Sequence, residues 1–485
     1  MSALQWRWRA RWSTRAVFAG LAVFAVFAVF AVFSGMAVAA APLRAQPARP
    51  FGTLREQAEM QQRWLDQRMR TVLPRVMRAQ GVDAWVISMR EYNEDPTFSA
   101  LVAPTTFAAR RRTIYVFFDR CAQSGRADPG DGSCIERIAL GGTSQGGVYE
   151  ARRAAAPVGN DVEGRTAELW GEPQWQVLKA VLEERNPRTV AINVSRTFAF
   201  ADGLTAGERD GMFAALGAAW TARIRSVDAL PVDLLASRLP EETAFYATMQ
   251  ELVWTLTQRM FSAEVITPGV TRTSDLVWWW RQQVNDRGLG TWFQPSVSVQ
   301  RRGVSAADLG DDPIIQRGDV LHCDVGVTAL GLNTDTQHNA YVLLPGETAP
   351  PQGLVHALTQ ANRLQDIVMD ELRAGRTGNE ILAASLARMR AAGINGSVYS
   401  HPIGLHGHGA GALIGRWDHQ DALPGIGEHR VISEMWYSIE LQASTPVPEW
   451  GGQVVRMAQE EDAVVTPEGR TRWALRRQSN LFLVR

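Results

Sequence analysis

Hydrophobic and polar positions along the 485-residue chain alternate between two rhythms, and the changes of rhythm divide it. From Arg63 to Ala79 apolar residues recur at helical spacing and end at Gly81. Four short runs then read as strands: VDAWVISM (82–89), TIYVFFD (113–119), RIAL (137–140) and TVAINVS (189–195). Helical stretches fall between them, around Trp175–Glu184 and Glu208–Ala218. Strands alternating with helices predict an α/β domain over residues 46–235. The proline-marked segment ALPVDLLASRLP (229–240) leads into a long helix, Glu241–Ala263, which stops before Thr267-Pro268-Gly269. A second helix, Ser274–Asp286, carries three successive indoles, Trp278, Trp279 and Trp280, so at least one must meet another domain or subunit.

Residues 318–342, GDVLHCDVGVTALGLNTDTQHNAYV, return to strand alternation on either side of the turn-like Ala329-Leu330-Gly331. A helical stripe follows, from Leu354 through Leu358, Ala361, Leu364 and Val368 to Leu372. The next helix opens on a capping box, Thr377 to Glu380, and closes before Gly393. WYSIEL and RMAQEEDAVVT read as strands, which makes residues 236–485 a second, α+β domain.

The first 45 residues follow neither rhythm. Arg7, Arg9, Arg11 and Arg15 precede an uncharged run from Ala16 to Ala41, and Ala37-Val38-Ala39 offers a small-residue cleavage site. That is the layout of a secretory signal peptide, long enough also to serve as an uncleaved anchor. Either form predicts export to the periplasm or beyond, with contact to the inner membrane only through this segment. In an oxidising compartment Cys121 and Cys134, on either side of a polar loop, would pair, against the alternative of two free thiols. Cys323 is left over and alternates away from Asp324, so it should pack as a small hydrophobe. With 50 basic and 50 acidic residues the chain carries no net charge and no basic stripe, which argues against a nucleic-acid partner.

The chemistry concentrates in the second domain. Asp324 and Asp335, eleven positions apart in the 318–342 hairpin, can aim at one point. A pair of buried acids needs a cation between them. Four of the eight histidines fall within SHPIGLHGHGAGALIGRWDHQD (400–421), and Glu440 and Glu460 or Glu461 lie on the last strands. Four carboxylates and one imidazole suit two divalent ions, Mn²⁺ foremost, with Co²⁺, Zn²⁺ and Fe²⁺ compatible.

In order and spacing these residues resemble the pita-bread metallopeptidases: methionine aminopeptidase, aminopeptidase P, prolidase and the metal-free creatinase. The matching pieces are GDVLHCDVG, Asp335, GHGAG (407–411), YSIE (437–440) and EEDAVVTPEG (460–469). GVDAWV, ITPGVTRTSD and LRAGRTGNEI extend the resemblance to the longer, two-domain Xaa-Pro aminopeptidase type, with a creatinase-like N-terminal domain. The resemblance implies Asp324, Asp335, His408, Glu440 and Glu460 as metal ligands, Asp335 and Glu460 bridging, with Glu461 one register step away. It implies a hydrolase that removes N-terminal residues or splits dipeptides by attack of a metal-bridging hydroxide, with Glu440 carrying a proton, and a homodimer. Two features depart from those relatives: no histidine lies between Gly269 and Leu321, and Gln337-His338 stands where threonine-arginine is usual. His401 and His406 are the candidates to replace the missing proton carriers, the alternative being hydrogen bonds to loop backbone. The competing function is a non-peptidase of the same fold, a metal-dependent lyase or amidine hydrolase on a small substrate.

Overall fold

The structure, a computed structural model, describes residues 49–127, 129–154 and 167–485. The signal or anchor segment lies outside the described residues, and residues 49–485 form one compact unit. Among the described residues no helix is long and apolar enough to cross a membrane.

Helix α1 (Leu54–Ala79) starts two turns before the apolar stripe predicts, because Thr53 and Glu56 form a capping box while the first turns are polar. Its buried face, including Trp64, Met69, Leu73 and Met77, covers one side of a six-stranded mixed sheet. The sheet runs β4-β3-β2-β1-β5-β6, built from β1 (Ala84–Arg90), β2 (Arg112–Asp119), β3 (Ile135–Leu140), β4 (Glu150–Arg152), β5 (Val190–Ile192) and β6 (Ile224–Ser226). On its other side lie α2 (Glu172–Arg185) and α3 (Ala206–Leu216). Both faces are therefore covered, which is why β1 and β2 read as near-continuous apolar runs. Cys121 and Cys134 form a disulfide with Cα atoms 5.3 Å apart.

Helix α4 (Ala229–Ala236) is almost wholly buried and joins this layer to the rest. Helices α5 (Pro240–Met260) and α6 (Thr273–Asp286) pack on one face of a four-stranded sheet. That sheet contains β7 (Ser296–Gln300) and β8 (Val320–Val325). Between β8 and the next long strand a small hairpin, β9 (Thr328–Ala329) and β10 (Leu332–Asn333), turns through Leu330 and Gly331. Both turn residues have positive φ, 51° and 79°, which glycine adopts freely. β11 (Thr336–Val342) then pairs antiparallel with β8, and the sheet order is β19-β11-β8-β7 once β19 (Phe482–Val484) is added. Of the three indoles Trp280 is buried in the core, whereas Trp278 is exposed and lies against Arg281.

Helices α7 (Gln352–Glu371) and α8 (Gly378–Ala391) cover two further sheets. One is β12-β15-β16, from Gly396–Val398, Leu441–Val447 and Gln453–Gln459. The other is β13-β14-β17-β18, from His401–Ile403, Met435–Ser438, Asp462–Val465 and Thr471–Trp473. This is the two-part architecture expected from sequence: an α/β layer followed by an α+β, pita-bread half. The parts share a core, since Ala329, Leu332, Ile403, Trp436 and Val464 cluster with Trp64, Leu65 and Trp85. The buried ion pair Arg68–Glu242 (2.6 Å) and the stacked rings of Tyr246 and Trp436 (3.8 Å) tie the two together.

Candidate metal centre

The first two acids meet because of strand register. Leu321, Cys323 and Val325 point into the core under α5 and α6, so alternation turns His322 and Asp324 to the opposite face. Cys323 is accordingly a free, fully buried thiol packed among aliphatic side chains. Across the ladder Asp324 faces Gln337, and Asp335 lies two positions earlier in the chain, immediately before β11. Asp335 is held from behind: its N–H donates to Asp462 Oδ2 (3.2 Å) and its carbonyl accepts from Ser438 Oγ (3.3 Å).

The two glutamates come from a joint between sheets. WYSIEL forms no single strand: β14 ends at Ser438, and β15 begins at Leu441 in another sheet. β16 likewise ends at Gln459, and β17 begins at Asp462. Ser438 pairs with Asp462 and Leu441 with Gln459, so Glu440 and Glu460 share the crossover. A two-way backbone bridge between Gln337 and Glu460 (3.0 and 3.2 Å) then clamps this joint to β11. Glu460 faces inward, accepting from Ser438 Oγ (2.6 Å) and Gln337 Nε2 (2.8 Å). Glu461 faces away, 3.0 Å from His338 Nε2, where it also accepts from the N–H of Gln478. Gln337 Nε2 donates to Glu440 as well (3.0 Å), so one amide spans both glutamates.

The three sequence-predicted histidines separate. His401, on β13 opposite Ser438, is buried among the acids. Its Nε2 lies 3.2 Å from Glu460 Oε1, 3.7 Å from Asp335 Oδ2 and 4.0 Å from Glu440 Oε2. Its Nδ1 contacts the carbonyl of Pro402 (3.0 Å), which fixes the ring. Burial pulls its pKa down, but the hydrogen bond and charge of Glu460 outweigh that and raise it. His408 is exposed and reaches the group only at Asp335 and His401, its ring centroid 4.7 Å from that of His401. It is walled by Trp292, whose indole lies 5.1 Å away and donates to the carbonyl of Thr334. Gly407 passes under this indole so closely that a Cβ would lie 2.1 Å from the ring, so glycine alone fits. His406 is not brought to the acids. Its ring packs on Phe200 (4.7 Å), and burial, with the nearby Arg238 charge, lowers its pKa to about 4.

Asp324, Asp335 and Glu460 form one group close enough to share an ion, and His401, Glu440 and Glu460 form another. Asp335, His401 and Glu460 are almost wholly buried. Desolvation first, and then the charges of the other acids, raise Asp324 to about 8, Glu440 to about 10 and Asp335 well above the usual carboxylate range. Oδ1 of Asp324 and Oδ1 of Asp335 are buried without a hydrogen-bond partner. Carboxylates crowded this tightly, with orphaned oxygens and one imidazole, have the chemistry of a divalent-cation site. The residues present fit two such ions.

Two groups of residues escaped the sequence reading. Tyr246 donates to Asp462 (2.6 Å), and Gln250 hydrogen-bonds the same carboxylate, which in turn holds Asp335. Gln337 was visible only as a departure from the expected threonine. Neither residue type in isolation signals support of a ligand.

Residues 250–467 match the family model for metallopeptidase family M24. This part of the chain belongs to that family. The M24 region contains every acid and histidine of the site. Its fold is shared with solved structures at low identity. The X-Pro aminopeptidase from Thermotoga maritima MSB8 is 15% identical, with 84% of this chain and 100% of that one covered at a TM-score of 0.55. Dipeptidase PepE from Mycobacterium ulcerans is 16% identical, with 87% and 98% covered at 0.53. The N-terminal domain of the FACT complex subunit SPT16 from Cicer arietinum is 12% identical, with 87% and 99% covered at 0.51. No curated protein matches by sequence. At these identities the structural likeness is one of fold, and the family match is that of residues 250–467.

Proposed function

We propose that this M24 protein is an exported, dinuclear metal-dependent peptidase that removes N-terminal residues or splits dipeptides, on the pattern of Xaa-Pro aminopeptidases and prolidases. The observation that carries the reading is the convergence of Asp324, Asp335, Glu440 and Glu460 around the His401 imidazole. These five residues would hold the ions, with His401 in the imidazole position and His408 beside it, open to substrate. Two divalent ions in such a set supply a water acidic enough to deprotonate at neutral pH and polarise an amide carbonyl.

The chain's own groups do the rest. Gln337 fixes Glu440 and Glu460 relative to each other through one amide. Asp462 and Ser438 fix Asp335 through its backbone. Glu440, half-buried at the rim, is placed to take a proton from water and return it to the leaving amine. His408, exposed beside the centre, is placed to donate a hydrogen bond to charge developing on the carbonyl oxygen. The Cys121–Cys134 disulfide supports export, since such bonds persist in oxidising compartments. Because a fold alone does not imply a function, the acids rather than the fold are the ground for assigning turnover.

The test is a purified chain loaded with Mn²⁺, Co²⁺ or Zn²⁺ and assayed on dipeptides and Xaa-Pro peptides, with metal content measured in parallel. Two ions per chain and release of an N-terminal residue are expected. Full metal occupancy without turnover of any peptide would overturn the peptidase reading in favour of a non-peptidase activity.

A further inference from the structure

The polar side chains behind the acids form a line of hydrogen bonds with a direction. Gln337 Nε2 lies 3.0 Å from Glu440 Oε1 and 2.8 Å from Glu460 Oε2. An ionised carboxylate only accepts hydrogen bonds, so both amide hydrogens of Gln337 go to the glutamates. The amide oxygen therefore points the other way, where it meets His322 Nε2 at 2.9 Å. An amide oxygen also only accepts, so the hydrogen in that contact sits on Nε2. The other ring nitrogen, Nδ1, faces Ser298 Oγ at 3.5 Å. The line thus runs from His322 through Gln337 to the two glutamates.

Strand register delivers the imidazole to that oxygen. His322 and Asp324 are alternate residues of β8 and share a face. Ser298 is the ladder partner of His322 on β7, and Gln337 is the ladder partner of Asp324 on β11. The ring lines a cavity of about 250 Å³ together with Asp324, Gln337 and Glu440. Among the described residues it belongs to none of the groups close enough to share an ion, so it supports the centre rather than joining it.

The need for such a support follows from the chemistry of Gln337. A side-chain amide oxygen is itself a good ligand for a hard divalent cation. A buried Oε1 without a donor would gain by turning toward the ions or toward the cavity. Either turn would withdraw Nε2 from both glutamates at once. A donor fixed on the far side removes the gain.

We propose that His322 is a positioning residue of the metal centre: by donating from Nε2 to Gln337 Oε1, it holds the amide so that Glu440 and Glu460 stay oriented for the ions. The proposal rests on the dinuclear reading above and deepens it.

The experiment titrates Mn²⁺ into the full chain and into His322→Leu, His322→Gln, Gln337→Leu and the double variant with leucine at both positions. His322→Leu removes the donor and should weaken metal binding about 10- to 100-fold. His322→Gln can present an amide N–H where Nε2 stood and should recover most of that loss. In the Gln337→Leu background His322→Leu should cost nothing further, because the line is already cut. A packing role for the ring would instead give losses that multiply and no rescue by glutamine, and either result would overturn the proposal. The wild-type chain gives a test that needs no variant to fold well. NMR of histidine-labelled, Zn²⁺-loaded protein, read through the ring-nitrogen shifts, should find a hydrogen on Nε2 of His322. An Nε2 without a hydrogen would overturn the proposal. A wild-type chain that binds no metal would sink the dinuclear reading, while the same NMR measurement on the unloaded chain would still decide the role of His322.

Discussion

Stripping the metal should convert the centre from a source of stability into a pH-dependent liability, and the size of the effect follows from the burial of its acids. An acid whose pKa is raised by folding keeps its proton in the native state after the unfolded chain has lost it. Its contribution is full below the ordinary carboxylate pKa and is lost as the pH rises through the folded value. For Asp324 the rise from 3.8 to about 8 corresponds to roughly 6 kcal/mol, at about 1.36 kcal/mol per pH unit. Glu440, raised from 4.5 to about 10, and Asp335 draw on the same repulsion, so their contributions overlap rather than sum. For a chain of this size a loss of that order lowers the melting temperature by about 5–10 °C. The assay is a melt followed by tryptophan fluorescence at pH 5, 7 and 9, on chelator-treated and on Mn²⁺-loaded protein. The stripped protein should melt progressively lower as the pH rises from 5 to 9, and the loaded protein should not. Asp335→Asn, with one charge fewer, should flatten the stripped protein's slope. A stripped protein whose melting point is independent of pH over that range would refute the electrostatic account of the site.

Three further outcomes separate the roles of individual residues. His401→Ala should lose bound metal and His408→Ala should keep metal but lose turnover, while His406→Ala leaves both near wild type; metal analysis with a peptide assay distinguishes the three. Gln337→Leu removes the amide that spans Glu440 and Glu460, and metal titration should show affinity about 10- to 100-fold weaker. Replacing Cys121 and Cys134 with serine releases a cross-link spanning 13 positions, which should cost about 3 kcal/mol of stability in a denaturant titration and leave KM unchanged.

The fold and the acids were legible because each leaves a periodic or spacing signal. Alternation in 318–342 placed Asp324 opposite Cys323, and the structure keeps that arrangement. The strand runs of the N-terminal layer were found because both sheet faces are buried, while the three-residue β4 and β6 are too short to show a period. The histidines were harder. His408 precedes a glycine-rich motif, but the sequence does not say that β13 pairs with β14 and carries His401 to the acids. WYSIEL reads as one strand because the break at Ile439-Glu440 leaves its alternation intact. The direction of Glu460, against that of Glu461, depends on which sheet each neighbouring strand joins, a long-range property that no local window contains. Gln337 and Asp462 act through partners more than 100 positions away, and so were invisible as supports.

The apolar core shared by α1, β1, the β9–β10 hairpin and Trp436 makes the half without metal ligands a precondition for the half that has them. A chain cut at residue 236 would leave Leu332, Ile403, Trp436 and Val464 facing water and would strand Glu242 without Arg68. Such a fragment should be insoluble rather than merely less selective. Unlike a detachable regulatory cover, the first layer cannot be traded, swapped or trimmed without also unmaking the enzyme.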